Sequence, residues 1–294
     1  MTPPFAGPRL NAGTGRLANP KMPELPEVEI ARRTLERWLG ASEVTAAEAD
    51  RTRIFRGGGR KLFSGLRGRL ARAERHGKLL LVSLDDGLGF LSHLGMTGKW
   101  VRRPAGEPVP YSRARLLLAD GTAVHYRDPR LFGRIEPHAA AQLRGLPAVQ
   151  ELGPDPLLTP LSGARLRDAL GPTRVPIKVA LMDQRRLAGL GNIHAAEALW
   201  RAKIHPGRPT RTLELPEWNR LAAAIRRGLA YALAAEDSEE IAYVEEPGTE
   251  NPFRVYARAG ERCPRCGTRI RLLRQGGRRT DFCPHCQPAR RARR

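Results

Sequence analysis

Residues 187–206 read LAGLGNIHAAEALWRAKIHP, in which a glycine-rich turn separates two segments of helical periodicity. Gly189 and Gly191 allow a tight turn and the close approach of another backbone. Asn192 is expected to cap the second helix, whose free N–H groups would favour a phosphate. Because many helical hairpins contain such turns without a ligand, this motif alone leaves a phosphate-binding role and a purely structural role open.

The chain on either side of this hairpin divides into a strand-rich part and a helical part. Residues 161–170 and 216–236 continue the helical periodicity, and the Pro-rich ELGPDPLLTP (151–160) is expected to be a linker. Short apolar runs separated by turns instead fill residues 43–136: KLLLVSL (78–84), LGFLSHL (88–94), ARLLLAD (114–120) and AVHYR (123–127). This spacing predicts a β-sandwich or barrel. A helix that starts near Pro26 and stops at Gly40 is expected before it.

The four cysteines lie in two C-x₂-C pairs close to the end of the sequence. Their spacing is typical of a Cys₄ zinc site, and such closed ligand shells are mostly structural. We therefore expect one Zn²⁺, held in a reducing compartment, on Cys263, Cys266, Cys283 and Cys286. Between the pairs, RIRLLRQGGRRT (269–280) is either a phosphate-binding hairpin or an idle basic surface.

The charge of the chain indicates a polyanionic partner. Lys and Arg number 51 against 30 Asp and Glu, which gives a net charge of +21. No basic amphipathic anchor is evident, so DNA or RNA is favoured over a membrane surface. The alternative is a solvated basic surface in a protein from an Arg-rich, GC-rich genome. No apolar run approaches the length of a membrane span, and residues 1–21 lack the apolar core of a secretory signal.

The segment KMPELPEVEIARR (21–33) raises the question of where the working protein begins. Residues 1–21 are rich in Pro, Gly and Asn without apolar periodicity, and we expect a disordered extension or a misassigned start. Met22 is a natural start, and a small next residue such as Pro23 allows removal of the Met. Only then would Pro23 have a basic nitrogen.

Together these segments resemble one family, the bacterial formamidopyrimidine-DNA glycosylases. MPELPEVE (22–29), GKLLL (77–81), HLGMTG (93–98), DPRLFG (128–133), GLGNI (189–193) and the Cys₄ module occur in that family's order. The resemblance runs from Met22 to about Gln287. It implies an α+β multidomain protein: a β-sandwich domain with flanking helices (23–145), a helix-two-turns-helix domain (155–245), a zinc finger (254–288) and a basic tail (289–294).

The resemblance further implies a bifunctional enzyme of base-excision DNA repair. Such an enzyme removes 8-oxoguanine and ring-opened purines from duplex DNA and then cuts the strand at the abasic site by β,δ-elimination. Pro23, as a free secondary amine, could attack C1′ of the damaged nucleotide and form an iminium. Glu24 matches the residue for proton transfer at the sugar, and Glu27 matches a second acidic position. Both acids could also simply complement the helix dipole.

Seven residues match family positions that contact DNA. Lys78, Asn192 and Arg278 match the residues that hold the phosphates beside the lesion, and Lys178 matches a further residue near the pocket. Met96, Arg130 and Phe132 match side chains that fill the gap left by the extruded base. Without the resemblance, Met96 and Phe132 would be interpreted as core residues, Lys78 as a strand-edge charge and Lys178 as a solvated helix lysine.

The sequence departs from the family pattern at three places. His194 stands where Tyr is usual, YVEEPGTENPF (243–253) occupies the place of the lesion-capping loop, and residues 1–21 precede the nucleophile. Two alternatives stay open: an endonuclease VIII-like preference for oxidised pyrimidines, and a non-catalytic zinc-dependent DNA-binding protein if residues 1–22 are retained. We expect a monomer in the bacterial cytoplasm, associated with the nucleoid.

Overall fold

The computed structural model describes residues 23–235, 241 and 251–289. The predicted extension, Met22, most of the segment 243–253 and the basic tail beyond residue 289 lie outside these described residues. The first helix, α1 (Leu25–Ala41), confirms the predicted opening helix. Its first turn is closed by the Glu24 backbone N–H, which donates to Glu27 Oε2 at 2.9 Å, and Pro26 is tolerated there because its missing N–H would have no helical partner.

Two four-stranded antiparallel sheets follow and confirm the predicted β-sandwich. One sheet has the order β1-β6-β7-β5 and the other β2-β3-β4-β8. The strands and the short helices within and after them are β1 (Val44–Ala49), α2 (Gly59–Phe63), β2 (Leu70–His76), β3 (Leu79–Leu84), β4 (Leu88–His93), β5 (Lys99–Pro104), β6 (Ser112–Leu118), β7 (Thr122–Arg127), β8 (Arg134–Ala139), a 3₁₀ helix (Ala140–Gly145) and α3 (Pro147–Gln150).

Strand β3 explains why residues 79–82 of KLLLVSL are continuously apolar. Leu80 and Val82 point into the core between the sheets. Leu79 and Leu81 point the other way, into a smaller cluster closed by Leu143 and Val149. A strand covered on both faces buries consecutive side chains, so the alternation of a half-exposed strand is lost.

The helical part comprises α4 (Gly163–Leu170), α5 (Ile177–Leu181), α6 (Asn192–Ala202), a 3₁₀ turn (Thr210–Thr212) and α7 (Leu215–Ala235). Its core also contains Leu25 from α1, which is fully buried. Gly189 makes this possible, because a Cβ there would lie 2.2 Å from Leu25 Cδ1. Among the described residues, no helix is both long and apolar enough to cross a membrane.

The last element is a hairpin of β9 (Arg271–Gln275) and β10 (Arg278–Phe282), connected by the glycine pair at 276–277. Both connecting glycines have left-handed backbone conformations, which residues without a Cβ adopt at low cost. The finger packs on α6 through a cluster of Trp200, Val255, Cys263, Ile270 and Cys283. Helix α6 therefore joins the finger at one end to α1 at the other.

Candidate active site

Glu24 connects the start of α1 with the start of α6. Its side chain is buried, and its carboxylate accepts three backbone hydrogen bonds. Oε2 accepts from the N–H groups of Gly191 (2.9 Å) and His194 (3.1 Å), and Oε1 accepts from Ile193 (2.8 Å). Because each carboxylate oxygen has two lone pairs, Oε1 keeps one for a further partner. Pro23 is buried directly before this carboxylate.

The predicted capping role of Asn192 is wrong. Gly191 is the N-cap of α6, and Asn192 is the first helical residue. The carboxylate of Glu24, from a remote segment, takes the N–H groups that a local cap would have taken. Asn192 is thereby released for another contact, and its Oδ1 accepts a hydrogen bond from Lys178 Nζ.

Lys78 and Glu24 meet across Gly191. A Cβ at Gly191 would lie 2.4 Å from Glu24 Oε1 and 2.7 Å from Lys78 Nζ, so only a glycine leaves room for both groups. Burial lowers the pKa of Lys78, and nearby Arg278 adds to this effect, while Glu24 and Glu27 oppose it. A bound anion would relieve the repulsion between these two cationic side chains.

Lys178 is fully buried, so its interpretation as a solvated helix lysine is wrong. Its Nζ donates to Asn192 Oδ1 and, at 3.0 Å, to the backbone carbonyl of Arg279. Burial and the charge of Arg278 lower the pKa of Lys178 to about 8. Lys178 thus ties the start of α6 to strand β10 of the finger, which carries the exposed Arg278.

Two loops bring Met96, Arg130 and Phe132 to one edge of the sandwich. The loop after β4 carries Met96, and the loop between β7 and β8 carries the other two. The loops touch at Gly95, where a Cβ would lie 2.4 Å from the carbonyl carbon of Phe132. Phe132 is 46% exposed, and the guanidinium carbon of Arg130 lies 4.8 Å from its ring centroid. The interpretation of Phe132 as a core residue is therefore wrong, and Met96 is half-buried.

The sequence reasoning missed Asp128, which organises these loops. It is fully buried and accepts hydrogen bonds from Thr97 Oγ1 (2.8 Å), the Arg130 N–H (3.3 Å) and the Gly133 N–H (2.8 Å). An Asp directly before Pro, with Gly five residues on, is the local signal of a carboxylate-stabilised turn. The contact with Thr97 could not be read from the sequence.

His93 was also missed. It lines a cavity of about 520 Å³ together with Arg53, Arg56, Phe132 and Arg134. Its pKa falls to about 4 because of burial and the charges of Lys78 and Arg134. Nδ1 accepts the Gly95 N–H at 3.0 Å, so the neutral ring carries its proton on Nε2. The cavity wall is therefore cationic and presents one neutral donor.

The four cysteines form a metal site. Their Sγ atoms all lie within 4.8 Å of one another, with pairs at 3.5, 3.5 and 4.0 Å. Zn–S bonds of about 2.3 Å in a tetrahedron require sulfur separations of about 3.8 Å, whereas a disulfide would need about 2.05 Å. The thiolates therefore fit one structural Zn²⁺, as the sequence predicted.

The β-sandwich domain, the helical domain and the zinc-binding hairpin thus bring Glu24, Lys78 and Lys178 to the start of α6. Family models match three segments: "Formamidopyrimidine-DNA glycosylase N-terminal domain" at residues 22–135, "Formamidopyrimidine-DNA glycosylase H2TH domain" at 152–242, and "Zinc finger found in FPG and IleRS" at 260–289. These segments cover more than half of the chain, in the order that the sequence predicted.

Named relatives agree with the three models. The chain is 37% identical to formamidopyrimidine-DNA glycosylases of Desulfitobacterium hafniense and Thermus thermophilus, over 90% of this chain and 100% and 98% of theirs. The Thermus thermophilus crystal structure superposes with a TM-score of 0.75 at 36% identity, covering 90% of this chain and 98% of that one. The structure of the Lactococcus lactis enzyme in complex with DNA containing Fapy-dG superposes with a TM-score of 0.80 at 30% identity. The match covers 90% of this chain and 100% of that one. The chain belongs to the formamidopyrimidine-DNA glycosylase family.

Proposed function

We propose that this protein is a DNA glycosylase and abasic-site lyase of base-excision repair that acts on oxidised purines. The observation that carries the proposal is the meeting of Glu24, Lys78 and the α6 turn next to Pro23. The names of the relatives support oxidised purines as the substrate class. The Lactococcus lactis relative has been crystallised in complex with Fapy-dG DNA and with abasic-site DNA.

The proposed nucleophile is the nitrogen of Pro23. Its lone pair attacks C1′, the bond from C1′ to the base breaks, and the base departs with a proton from the site. Ring opening of the sugar then leaves an iminium, which acidifies C2′–H. Loss of that proton expels the 3′ phosphate, and a second elimination expels the 5′ phosphate. The free lone pair of Glu24 Oε1 is suited to transferring a proton at the sugar oxygen.

This chemistry requires that Pro23 be the first residue. An amide nitrogen has no basic lone pair, so Pro23 in mid-chain cannot form the iminium. The N-terminal family model begins at residue 22, which supports translation from Met22 followed by removal of that Met. A free α-amino group titrates at about pH 8, so a neutral fraction exists at pH 7.

Lys78, Asn192 and Arg278 are proposed to hold the phosphates beside the lesion. The lowered pKa of Lys78 and the exposure of Arg278 support this assignment. Lys178 is fully buried and is proposed to act through Asn192, which it orients against the finger. Glu27 is proposed to fix the backbone of Glu24.

Met96, Arg130 and Phe132 are proposed to enter the space left by the extruded base. An apolar ring held 46% exposed beside an unpaired guanidinium supports that role, because each would otherwise face only water. Within the described residues, Arg130 has no carboxylate partner.

Trapping with borohydride tests the proposal. The chain beginning at Pro23 and the full 294 residues are each incubated with abasic DNA and borohydride. A covalent adduct is expected only for the first chain, and its absence from both would leave the non-catalytic DNA-binding alternative. N-terminal sequencing of protein expressed from its native locus is the matching control, since a native start at Met1 or Thr2 would refute the proposed processing.

Oxidised pyrimidines remain a second candidate substrate class. One Lactococcus lactis relative was solved with DNA containing an oxidised pyrimidine, at 32% identity and a TM-score of 0.80. Duplexes with 8-oxoguanine and with thymine glycol separate the candidates, and cutting of thymine glycol alone would refute the purine preference. The proposal also includes a monomer in the bacterial cytoplasm, with domains at 23–145, 155–245 and 254–288.

A further inference from the structure

Tyr111 is an aromatic residue that the fold itself does not require. It lies in the turn between β5 and β6, and its side chain is 53% exposed. Its backbone has φ = 62°, the left-handed region that disfavours any residue with a Cβ. Glycine or asparagine would suit this turn better, and half of the ring gains nothing from burial. The ring is therefore placed for contact with something outside the chain.

Two arginines flank this ring. The guanidinium carbons of Arg113 and Arg127 each lie 5.9 Å from the centroid of Tyr111. Arg127 Nε donates to the carbonyl of Pro110 at 3.2 Å, and Arg113 Nε donates to the carbonyl of Asp128 at 3.0 Å. Arg113 also pairs with Asp50 at 3.4 Å, whereas Arg127 has no carboxylate partner in the described part of the chain. The ring and at least one free cation thus form a fixed surface.

This surface is continuous with the loop proposed to enter the DNA. The Asp128 N–H donates to the carbonyl of Tyr111 at 3.0 Å, and Asp128 is the carboxylate that organises the Arg130–Phe132 loop. The turn that carries Tyr111 is therefore hydrogen-bonded to the residue that begins the loop to Phe132. An aromatic face beside guanidinium groups matches the sugar–phosphate strand of a nucleic acid, where the ring packs on a sugar or base and the cations bind phosphate.

We propose that Tyr111, Arg113 and Arg127 form a second DNA-binding surface, the Tyr111 platform, for the flank of the duplex next to the Arg130–Phe132 loop. The inference rests on the proposed function, since it takes duplex DNA as the ligand. Arg127 supplies a phosphate contact and Tyr111 supplies a stacking face, while Arg113 orients the ring. The surface adds affinity at nucleotides outside the lesion pocket.

Binding to a fluorescent duplex with a tetrahydrofuran abasic analogue tests the platform over a series of salt concentrations. Arg127→Ala is expected to reduce the slope of log K against log salt by about 1, as for the loss of one phosphate contact. Tyr111→Gly and Tyr111→Asn are expected to weaken binding about tenfold at every salt concentration, while Tyr111→Phe retains the parental affinity. Arg144→Ala is the matched control, since Arg144 is exposed and pairs with Glu74 on strand β2 of the other sheet.

Thermal unfolding separates binding from folding. Tyr111→Gly relieves the left-handed strain, so its melting temperature should be no lower than that of the parent. The platform is refuted if Tyr111→Gly and Tyr111→Asn bind within twofold of the parent, or if Tyr111→Phe loses as much affinity as they do. Cutting of 8-oxoguanine DNA by the parent chain is measured alongside. If the parent chain does not cut 8-oxoguanine DNA, the proposed function is refuted. The comparison of DNA affinities among the Tyr111 variants would still show whether the Tyr111 platform binds DNA.

Discussion

Replacing Gly191 by alanine should slow the reaction while leaving the fold intact. The backbone there has φ = −125°, which alanine adopts without strain. The added Cβ would lie 2.4 Å from the carboxyl carbon of Glu24 and 2.7 Å from Lys78 Nζ. Lys78 ends a flexible side chain and can move aside. Glu24 can move only by weakening its backbone hydrogen bonds, because three N–H groups hold its carboxylate.

The size of the effect follows from the displacement. Ordinary contact begins at 3.4 Å, so the Glu24 carboxylate must retreat by about 1 Å. A misplacement of about 1 Å at a catalytic group costs on the order of 100-fold in rate, or about 2.7 kcal/mol of transition-state stabilisation. We expect Gly191→Ala to lower the single-turnover rate on 8-oxoguanine DNA by that factor.

The assay uses the chain that begins at Pro23, with affinity for an uncleavable duplex measured in parallel. Retained affinity would show that the cleft is intact while the chemistry is impaired. Gly40→Ala is the matched control, because nothing lies within 4 Å of its Cβ, and a helical Gly→Ala change should stabilise the fold by about 0.5–1 kcal/mol. A rate for Gly191→Ala within threefold of the parent would refute the assignment of Glu24 to the reaction.

Three further changes test other parts of the site. Lys178, with its pKa lowered to about 8, is charged below that pH and neutral above it. DNA affinity measured by fluorescence anisotropy should therefore fall as the pH rises through 8. Lys178→Met should bind DNA more weakly and should not show this fall in affinity near pH 8. Phe132→Ala should slow lesion excision in single-turnover assays yet leave the melting temperature nearly unchanged, because nearly half of the side chain is exposed; a large fall in melting temperature would contradict this. Cys266→Ser should lower bound zinc, measured by elemental analysis, and weaken DNA binding, because the β9–β10 hairpin that carries Arg278 is then released; full binding without zinc would contradict it.

The features predicted correctly from the sequence are those encoded locally. The opening helix, the strands around KLLLVSL and the Cys₄ pattern depend on residues a few positions apart, where periodicity and spacing specify the structure. Glu24 is different. It caps a helix 167 residues later in the chain, and local reasoning gave that task to Asn192, the nearest suitable side chain. Only tertiary packing shows that a remote carboxylate displaced it.

The burial of the Lys178 charge likewise could not be predicted from the neighbouring sequence. Lys178 lies on a short helix whose sequence suits a solvated lysine, but its side chain is fully buried. The free-energy cost of burying the Lys178 ammonium is offset by two hydrogen bonds, one to Asn192 of α6 and one to Arg279 of the finger. A buried lysine that connects α6 to the finger makes the proposed phosphate site dependent on both elements being in place.

The Arg130–Phe132 loop shows how a fold can hold an apolar side chain away from its own core. Residue type alone favours burial of Phe132. The buried carboxylate of Asp128 fixes both ends of the loop, Leu131 takes a left-handed backbone at φ = 55°, and Gly95 lets the neighbouring loop pack against the Phe132 backbone. These contacts hold the backbone that carries the exposed ring. The strain and the exposed ring are therefore stabilised together by groups that are themselves buried, and binding a partner that accepts the ring would recover the free energy that its exposure costs.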